Sequence, residues 1–387
     1  MTKSITLSNG SKLILSNNKS QIVYCSVLIK YGSLNDSIIG TSHFIEHLVF
    51  SRLYKNNNII NSGCVVNAYT SREYTLYSLI VSKEKFNVLS EIFVNEIFNC
   101  EFDVETYNNE KKIIEKEILY EENSSKILEE GLCRLYNNPN IYLPICGTNE
   151  SINNISLDYL IDNYNRNYMV NNSVTSIVGN IDYDEIIEIL LKQKEKEFIS
   201  EKFKFDLKIR KDKEIICNKN ECYCCRMWGL KKTSKKEEIC IEIIINLLGG
   251  GMTSDLYKLM RGSGLSYIVG ANRVSYSNYG CLLFYANIDS NKINDVTSIY
   301  DLVIANRLKN GINNDELDKH KNLLKIKITQ QFESSFNVME GNAISFMFNN
   351  NKSSLNSMIR SIDKINCNDV NLTLRKIISV DKIDYCV

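Results

Sequence analysis

Hydrophobic positions change their spacing along the chain, and the changes mark out its elements. Lys12–Leu15 and Ile22–Lys30 are dense in strand-forming residues and predict two strands. A helix is predicted at about 41–54, where Phe44, Ile45, Leu48 and Val49 recur at three- and four-residue spacing. Strands follow at Gly63–Thr70 and Tyr74–Val81, then helices at about 84–98 and 104–122. The second half has the same character, with a strand over Cys222–Gly229, a helix near 235–248, strands near 266–273 and 280–288, and a long helix at about 314–333. Strands and helices mix without strict alternation, so the predicted class is α+β. The first half is placed at 1–195 and the second at 214–387, with a charge-dense connector at 196–213.

Composition narrows the function classes. The chain has 387 residues, beyond the roughly 250–300 at which a single core stops growing, so two domains are expected. Lys plus Arg equals Asp plus Glu at 46 each, which argues against a polyanion-binding surface and hence a nucleic-acid partner. No apolar run approaches the roughly 18–20 residues that span a bilayer, so no membrane partner is expected. The first ten residues carry neither an apolar targeting core nor an Arg-rich amphipathic stretch. Thirteen cysteines, an odd and scattered count, suit reduced thiols in a cytoplasmic setting.

Histidine is the informative residue type. There are three, His43, His47 and His320, and the first two sit four apart with Glu46 between them. On a helix, His43, Glu46, His47 and Phe50 share a face, within an arc of about 100°. Phe44, Ile45, Leu48 and Val49 lie opposite, and Arg52 limits that apolar face to about three turns. Thr41 and Ser42 are candidate N-caps. Two imidazoles at this spacing can chelate zinc, and the carboxylate beside them can act on a zinc-activated water. The alternative is a pair of surface histidines on an ordinary amphipathic helix. A third ligand is available from the helix at 104–122, where Glu110 and Glu117 lie on one stripe flanked by Ile113, Ile114 and Ile118. Carboxylates on a buried stripe need a cation or hydrogen bonds. The alternative for this helix is an exposed face laced with Glu/Lys pairs.

The inverted motif H-x-x-E-H followed by E-x6-E resembles the pitrilysin and mitochondrial-processing-peptidase family of zinc metallopeptidases. Leu7-Ser-Asn-Gly10, Tyr31-Gly32-Ser33 and Gly40–His43 are similar to its opening segments, and Gly63–Thr70 with Arg72–Thr75 to its next stretch. Gly147–Ile152, Val178–Asn180, Leu248–Ser254 and Gly264–Tyr267 extend the resemblance over nearly the whole chain. It implies two homologous domains, each a mostly antiparallel sheet with helices packed on one face. It also implies one zinc ion per chain, bound by His43, His47 and Glu117, with Glu46 as general base and Glu110 in support. Asn67, Ala68 and Tyr69 would lie on a strand that pairs with substrate, Tyr267 would come from the second half to face the substrate carbonyl, and Arg261 is the candidate for the Arg that the family pairs with that Tyr. The implied activity is hydrolysis of short or unfolded peptides, in a chamber closed by a homodimer or by a heterodimer with a related chain. The alternatives are a leader- or precursor-processing subunit and a non-catalytic structural homologue.

Two departures stand out. His47 and Glu117 are closer than is usual in the family, and the shortening is placed around Ser51–Asn61. The family usually carries Arg seven residues before Tyr; here Met260 holds that slot and Arg261 is six before Tyr267. A residue lost from the helix would turn the side chain by about 100°, whereas a loss from the Gly262-Ser263-Gly264 turn would keep the register.

Three features lie outside the motif. Cys217, Cys222, Cys224 and Cys225 could form a metal knuckle, but no second pair completes one, so buried or redox-sensitive thiols are expected. Gly249-Gly250-Gly251 lacks the Lys of a phosphate loop and is expected to be a turn. His320 is expected to be a solvated helix residue.

Overall fold

The computed structural model describes residues 2–120, 123–181, 183–193, 195, 220–350 and 354–387. The connector at 196–213 and Cys217 lie outside the described residues. The chain forms two compact units, and each draws on separated stretches of sequence. One takes its described residues from Met1–Glu121, Leu143–Lys202 and Gln330–Ser354, the other from Glu122–Tyr142, Phe203–Thr329 and Leu355–Val387. A helix of the first half, Asn123–Leu135, therefore packs in the second unit, and Ser335–Asn349 packs in the first.

The first unit is built on β1 (Thr2–Thr6), β2 (Lys12–Asn17), β3 (Ile22–Ile29), β4 (Val65–Thr70), β5 (Thr75–Ser82) and β6 (Ser173–Gly179), in the order β1-β2-β6-β3-β5-β4. All neighbours are antiparallel except β2 and β6. Alternation along the strands gives the sheet two apolar faces. Leu13, Leu15, Val23, Cys25, Val27, Tyr77 and Leu79 turn one way, into a core with Phe44, Leu48, Phe86 and Phe93 from the helices Thr41–Lys55 and Lys83–Phe98. Ile14, Leu28, Leu76 and Val174 turn the other way and are covered by Ala343, Phe346 and Met347 of Ser335–Asn349.

The helix Thr41–Lys55 starts differently from expectation. Thr41 and Ser42 are inside it, and the N-cap is Gly40, whose φ of 94° is left-handed. Capping comes from outside the helix: the buried Asp36 carboxylate accepts the Gly40 N–H at 3.1 Å, the Ser42 N–H at 3.0 Å and the Ser42 hydroxyl at 3.1 Å. A Cβ at Gly40 would stand 2.9 Å from the Cys146 carbonyl oxygen and 2.8 Å from Ile152 Cδ1, so glycine is required for space as well as for φ.

The second unit holds β7 (Glu221–Lys231), β8 (Val269–Ser275), β9 (Tyr279–Asp289) and β10 (Lys382–Cys386), all antiparallel in the order β10-β7-β9-β8. The strand predicted at 266–273 begins only at Val269, because Ser266 spends its hydroxyl on the Ile268 and Asn287 carbonyls and Tyr267 stays exposed. Gly131 of Asn123–Leu135 lies against Met227 and Tyr385, with no room for a Cβ. Arg226, 1% exposed, is held across the β7–β10 ladder by Asp384 (Nε–Oδ1 2.6 Å, Nη2–Oδ2 2.9 Å) and also by Asp301.

His320 is not solvated. It is buried on one stripe of the helix Asn314–Glu333 with Leu317, Leu324 and Ile328. The charged residues around it occupy the other faces, which is why the local composition misleads. Among the described residues no helix is long and apolar enough to cross a membrane.

Candidate metal centre

Two helices of the first unit build the site. Thr41–Lys55 carries His43, Glu46 and His47; Val104–Tyr120 lies against it and carries Glu110 and Glu117. Stacking of Phe44 on Tyr107, with ring centroids 5.3 Å apart, sets the helix–helix contact. The seven-residue interval then puts both carboxylates opposite the imidazoles.

The His43 and His47 rings meet edge to face at 4.6 Å. His43 Nε2 is 3.6 Å from Glu117 Oε1, and His47 Nε2 is 3.3 Å from Glu117 Oε2. One ligand atom from each of the three residues lies within 4.8 Å of the other two. Donors around a tetrahedral zinc are about 3.4 Å apart, given bonds of about 2.0–2.2 Å. Two imidazole nitrogens and a carboxylate oxygen at these separations fit that ion, and no other such group occurs among the described residues. Cys222, Cys224 and Cys225 are buried within the second sheet and form no such group.

The surrounding polar groups are asymmetric. His47 Nδ1 is 3.1 Å from Glu110 Oε2, which fixes the tautomer presenting Nε2 to Glu117. His43 Nδ1 is buried and has no hydrogen-bond partner among the described residues. Glu46 is buried, 3.9 Å from His43 Nε2, and accepts the Thr70 hydroxyl at 3.3 Å. Burial pushes the Glu46 carboxyl up to about 7, against the opposing pull of His47 and Thr70. Burial pushes His43 down, and the neighbouring His47 adds to that. For His47, burial is outweighed by Glu110 and Glu117, so its affinity for protons rises. Glu117 is lowered by its hydrogen bond with His47.

Glu110 and Glu117 differ more than their shared stripe suggests. The Glu110 side chain is 13% exposed, and that of Glu117 is 48% exposed. Ile113, expected to flank a buried stripe, is exposed, while Ile114 is fully buried. The stripe is a rim, with Glu117 at its solvent side.

β4 lies at the edge of the sheet, beside the histidine helix. Asn67, Ala68 and Tyr69 pair with Ser78, Tyr77 and Leu76 of β5 and leave the outer backbone edge of β4 unclaimed by the sheet. The Tyr69 hydroxyl donates to Glu340 and lies 3.3 Å from that of Tyr74. Thr70, Asp36 and Glu340 were not singled out from sequence. Thr70 ends a motif stretch and Asp36 lies between two of them, but Glu340 is distant in sequence and gives no local signal.

Tyr267 and Arg261 belong to the second unit. Met260, in the slot seven before Tyr267, is fully buried in the core. Arg261 lies over the Tyr267 ring at 5.3 Å and the Tyr257 ring at 5.6 Å, and donates to the Tyr257 hydroxyl at 2.8 Å. Arg261 and Tyr267 line a cleft of about 320 Å³, and Tyr267 is 80% exposed. Gly264, between them in sequence, has a left-handed φ of 66°.

Residues 12–148 match the family described as insulinase (peptidase family M16), and residues 154–324 match its companion, the peptidase M16 inactive domain. The chain belongs to the M16, or pitrilysin, family of peptidases. An uncharacterized zinc protease of Bacillus subtilis is 28% identical, over 98% of this chain and 97% of that protein. The beta subunit of the Homo sapiens mitochondrial-processing peptidase is 24% identical, over 87% of this chain and 73% of its own length. Among solved structures, a protease from Helicobacter pylori superposes with a TM-score of 0.85 at 19% identity, covering 100% of this chain and 99% of that one. The M16 fold and the two-domain α+β architecture expected from sequence are therefore in place, and the M16 relatives named zinc proteases support a peptidase function.

Proposed function

We propose that this M16 chain is a zinc-dependent metalloendopeptidase that hydrolyses short or unfolded peptides. The observation that carries the proposal is the convergence of His43, His47 and Glu117, with the separate carboxylate of Glu46 beside them. Three residues hold one zinc ion and leave a fourth position open, the pattern of catalytic sites. Bound there, zinc supplies Lewis acidity that polarises a peptide carbonyl and makes water nucleophilic at neutral pH.

The chain's own groups do the rest. Glu46 takes the proton of the attacking water on a carboxylate oxygen and returns it to the leaving amine. Thr70 holds the Glu46 carboxylate from the β4 side. Glu110 orients His47. Asn67, Ala68 and Tyr69 take the substrate backbone as an added strand, which tolerates varied sequence because the contacts are main-chain hydrogen bonds. Tyr267 donates a hydrogen bond to the charge developing on the carbonyl oxygen, and Arg261 orients its ring.

The active form is a dimer in which paired chains enclose the substrate. A cytoplasmic setting suits the reduced cysteines. A heterodimer that trims precursor peptides is the second reading, favoured by the likeness to a processing-peptidase subunit. A non-catalytic role, suggested by the inactive-domain match of the second half, is opposed by the complete donor set in the first.

Glu46→Gln tests the proposal. The amide keeps the shape but cannot take the proton, so zinc content is expected to stay near one per chain while peptide turnover falls by about 10²–10⁴. Hydrolysis of an unfolded peptide at the parent rate would remove Glu46 from the mechanism. Absence of bound zinc in the parent protein would remove the mechanism itself.

A further inference from the structure

The second unit carries a cysteine arrangement that the peptidase site does not use. β10 is the edge strand of its sheet and pairs with β7. Tyr223 and Val387 exchange both backbone hydrogen bonds, N–H to O at 3.0 Å in one direction and 3.2 Å in the other. The next pair along the ladder, Cys224 opposite Cys386, is therefore a non-hydrogen-bonded pair. In such pairs the Cα atoms are about 4.5 Å apart and the side chains lean toward each other. A disulfide needs Cα atoms about 4.4–6.8 Å apart and Cβ atoms about 3.5–4.5 Å apart, so this pair type suits a bridge with little backbone movement.

The same ladder supplies an internal control. Two residues along, Arg226 stands opposite Asp384 at the equivalent pair position, and these side chains meet directly at 2.6 Å. Side chains on this face of the β7–β10 ladder do reach across. Cys224 is fully buried, whereas Cys386 is partly exposed on the edge strand. Cys225, the intervening residue, turns to the other face, and its thiol is pushed up by burial. Both Cys224 and Cys386 are reduced in the structure.

We propose that Cys224 and Cys386 form a reversible cross-strand disulfide that clasps the final strand onto the second sheet. The oxidant is a low-molecular-weight disulfide such as oxidised glutathione. Cys386, the accessible thiol, loses its proton and attacks one glutathione sulfur; the glutathione S–S bond breaks, and the first glutathione leaves as a thiolate that takes up the proton. Cys224 then loses its proton and attacks the Cys386 sulfur, and the second glutathione leaves and is protonated in turn. Two protein thiols are oxidised to one disulfide while one oxidised glutathione is reduced to two glutathione thiols.

The test treats the folded full chain with oxidised glutathione, quenches in acid, counts thiols in denaturant, and maps the linked peptides by mass spectrometry. The expected result is a loss of two thiols per chain, a Cys224–Cys386 cross-linked peptide, and a rise in melting temperature on the order of 5–10 °C that dithiothreitol reverses. Cys386→Ser is expected to abolish the cross-link and the rise. Cys225→Ala is expected to keep both, which separates the clasp from general damage to the buried strand. A cross-link mapped to any other cysteine overturns the proposal. So does glutathione left on Cys386 with Cys224 still a thiol, or a folded chain that loses no thiols.

Discussion

Glu110 offers a sharp test of the site, because its expected effect is intermediate. Its carboxylate reaches His47 Nδ1 at 3.1 Å but contributes no atom to the group of three ligands. Glu110→Ala removes the acceptor and leaves all three ligands in place. Outer partners of this kind typically change metal affinity by about 10–100-fold. That factor is about 1.4–2.7 kcal/mol, which largely overlaps the range of about 1.5–3 kcal/mol for a hydrogen bond to a charged group. The 13% exposure of the Glu110 side chain argues for the upper part of the range, since water cannot easily replace the lost acceptor. Glu110→Gln keeps an acceptor oxygen and loses only the charge, so its effect is expected at about tenfold or less. Glu117→Ala removes a ligand and is expected to exceed both. Competition against a chromophoric zinc chelator measures all three, with circular dichroism as the check on folding and exposed Glu105→Gln as the control. A Glu110→Ala affinity within twofold of the parent, alongside a collapse in Glu117→Ala, would refute the orienting role of Glu110.

Other outcomes follow from the same geometry. Tyr267→Phe is expected to lower peptide turnover with zinc content and melting temperature unchanged, and Arg261→Ala to weaken it as well because the two side chains stack; steady-state kinetics on an unfolded peptide decides, and two silent variants would take the second unit out of catalysis. Gly40→Ala meets both a left-handed φ and the Cys146 carbonyl, so a stability loss of about 1–3 kcal/mol is expected by denaturant titration, with zinc affinity falling in step. Glu237, bonded to Lys376 and to the Ser234 N–H, is held down to about 2 from an ordinary 4.5. A depressed carboxyl stabilises the fold above its unfolded pKa, and that contribution fades as pH falls toward the folded value. Glu237→Gln is therefore expected to lower the melting temperature near pH 7, with the gap to the parent closing between about pH 4.5 and pH 2; a gap independent of pH would contradict this.

The sequence was legible where chemistry is local. His43, Glu46 and His47 declare themselves by helical spacing, and their neighbours Phe44, Ile45, Leu48 and Val49 are fully buried, as the pattern requires. The helices at 235–248 and 314–333 also stand at their expected limits. What escaped depends on three-dimensional packing and on loop paths that periodicity does not encode. Asp36 caps a helix from four and six residues upstream, so a search for Ser or Thr at the boundary selected residues that the helix contains. His320 lies among charged residues, yet its stripe is turned inward by tertiary packing. The helix Ser335–Asn349 is absent from the elements that the sequence predicts, and nothing local says which sheet it will cover. The Arg261–Tyr267 contact depends on the path of the chain through Gly262-Ser263-Gly264, which spacing alone leaves open.

The placement of Ser335–Asn349 has a consequence for the order of events during synthesis. Strands β1 to β6 are complete by Gly179, but the face formed by Ile14, Leu28, Leu76 and Val174 waits for Ala343, Phe346 and Met347. At about 5–20 residues per second, that wait lasts roughly 8–30 s, with an apolar strip open to solvent throughout. A chain ended in the connector would never close it. The first unit therefore cannot mature as an independent N-terminal domain: it folds last as much as first, and a translational pause or truncation before residue 349 leaves an aggregation-prone sheet rather than a smaller working protein.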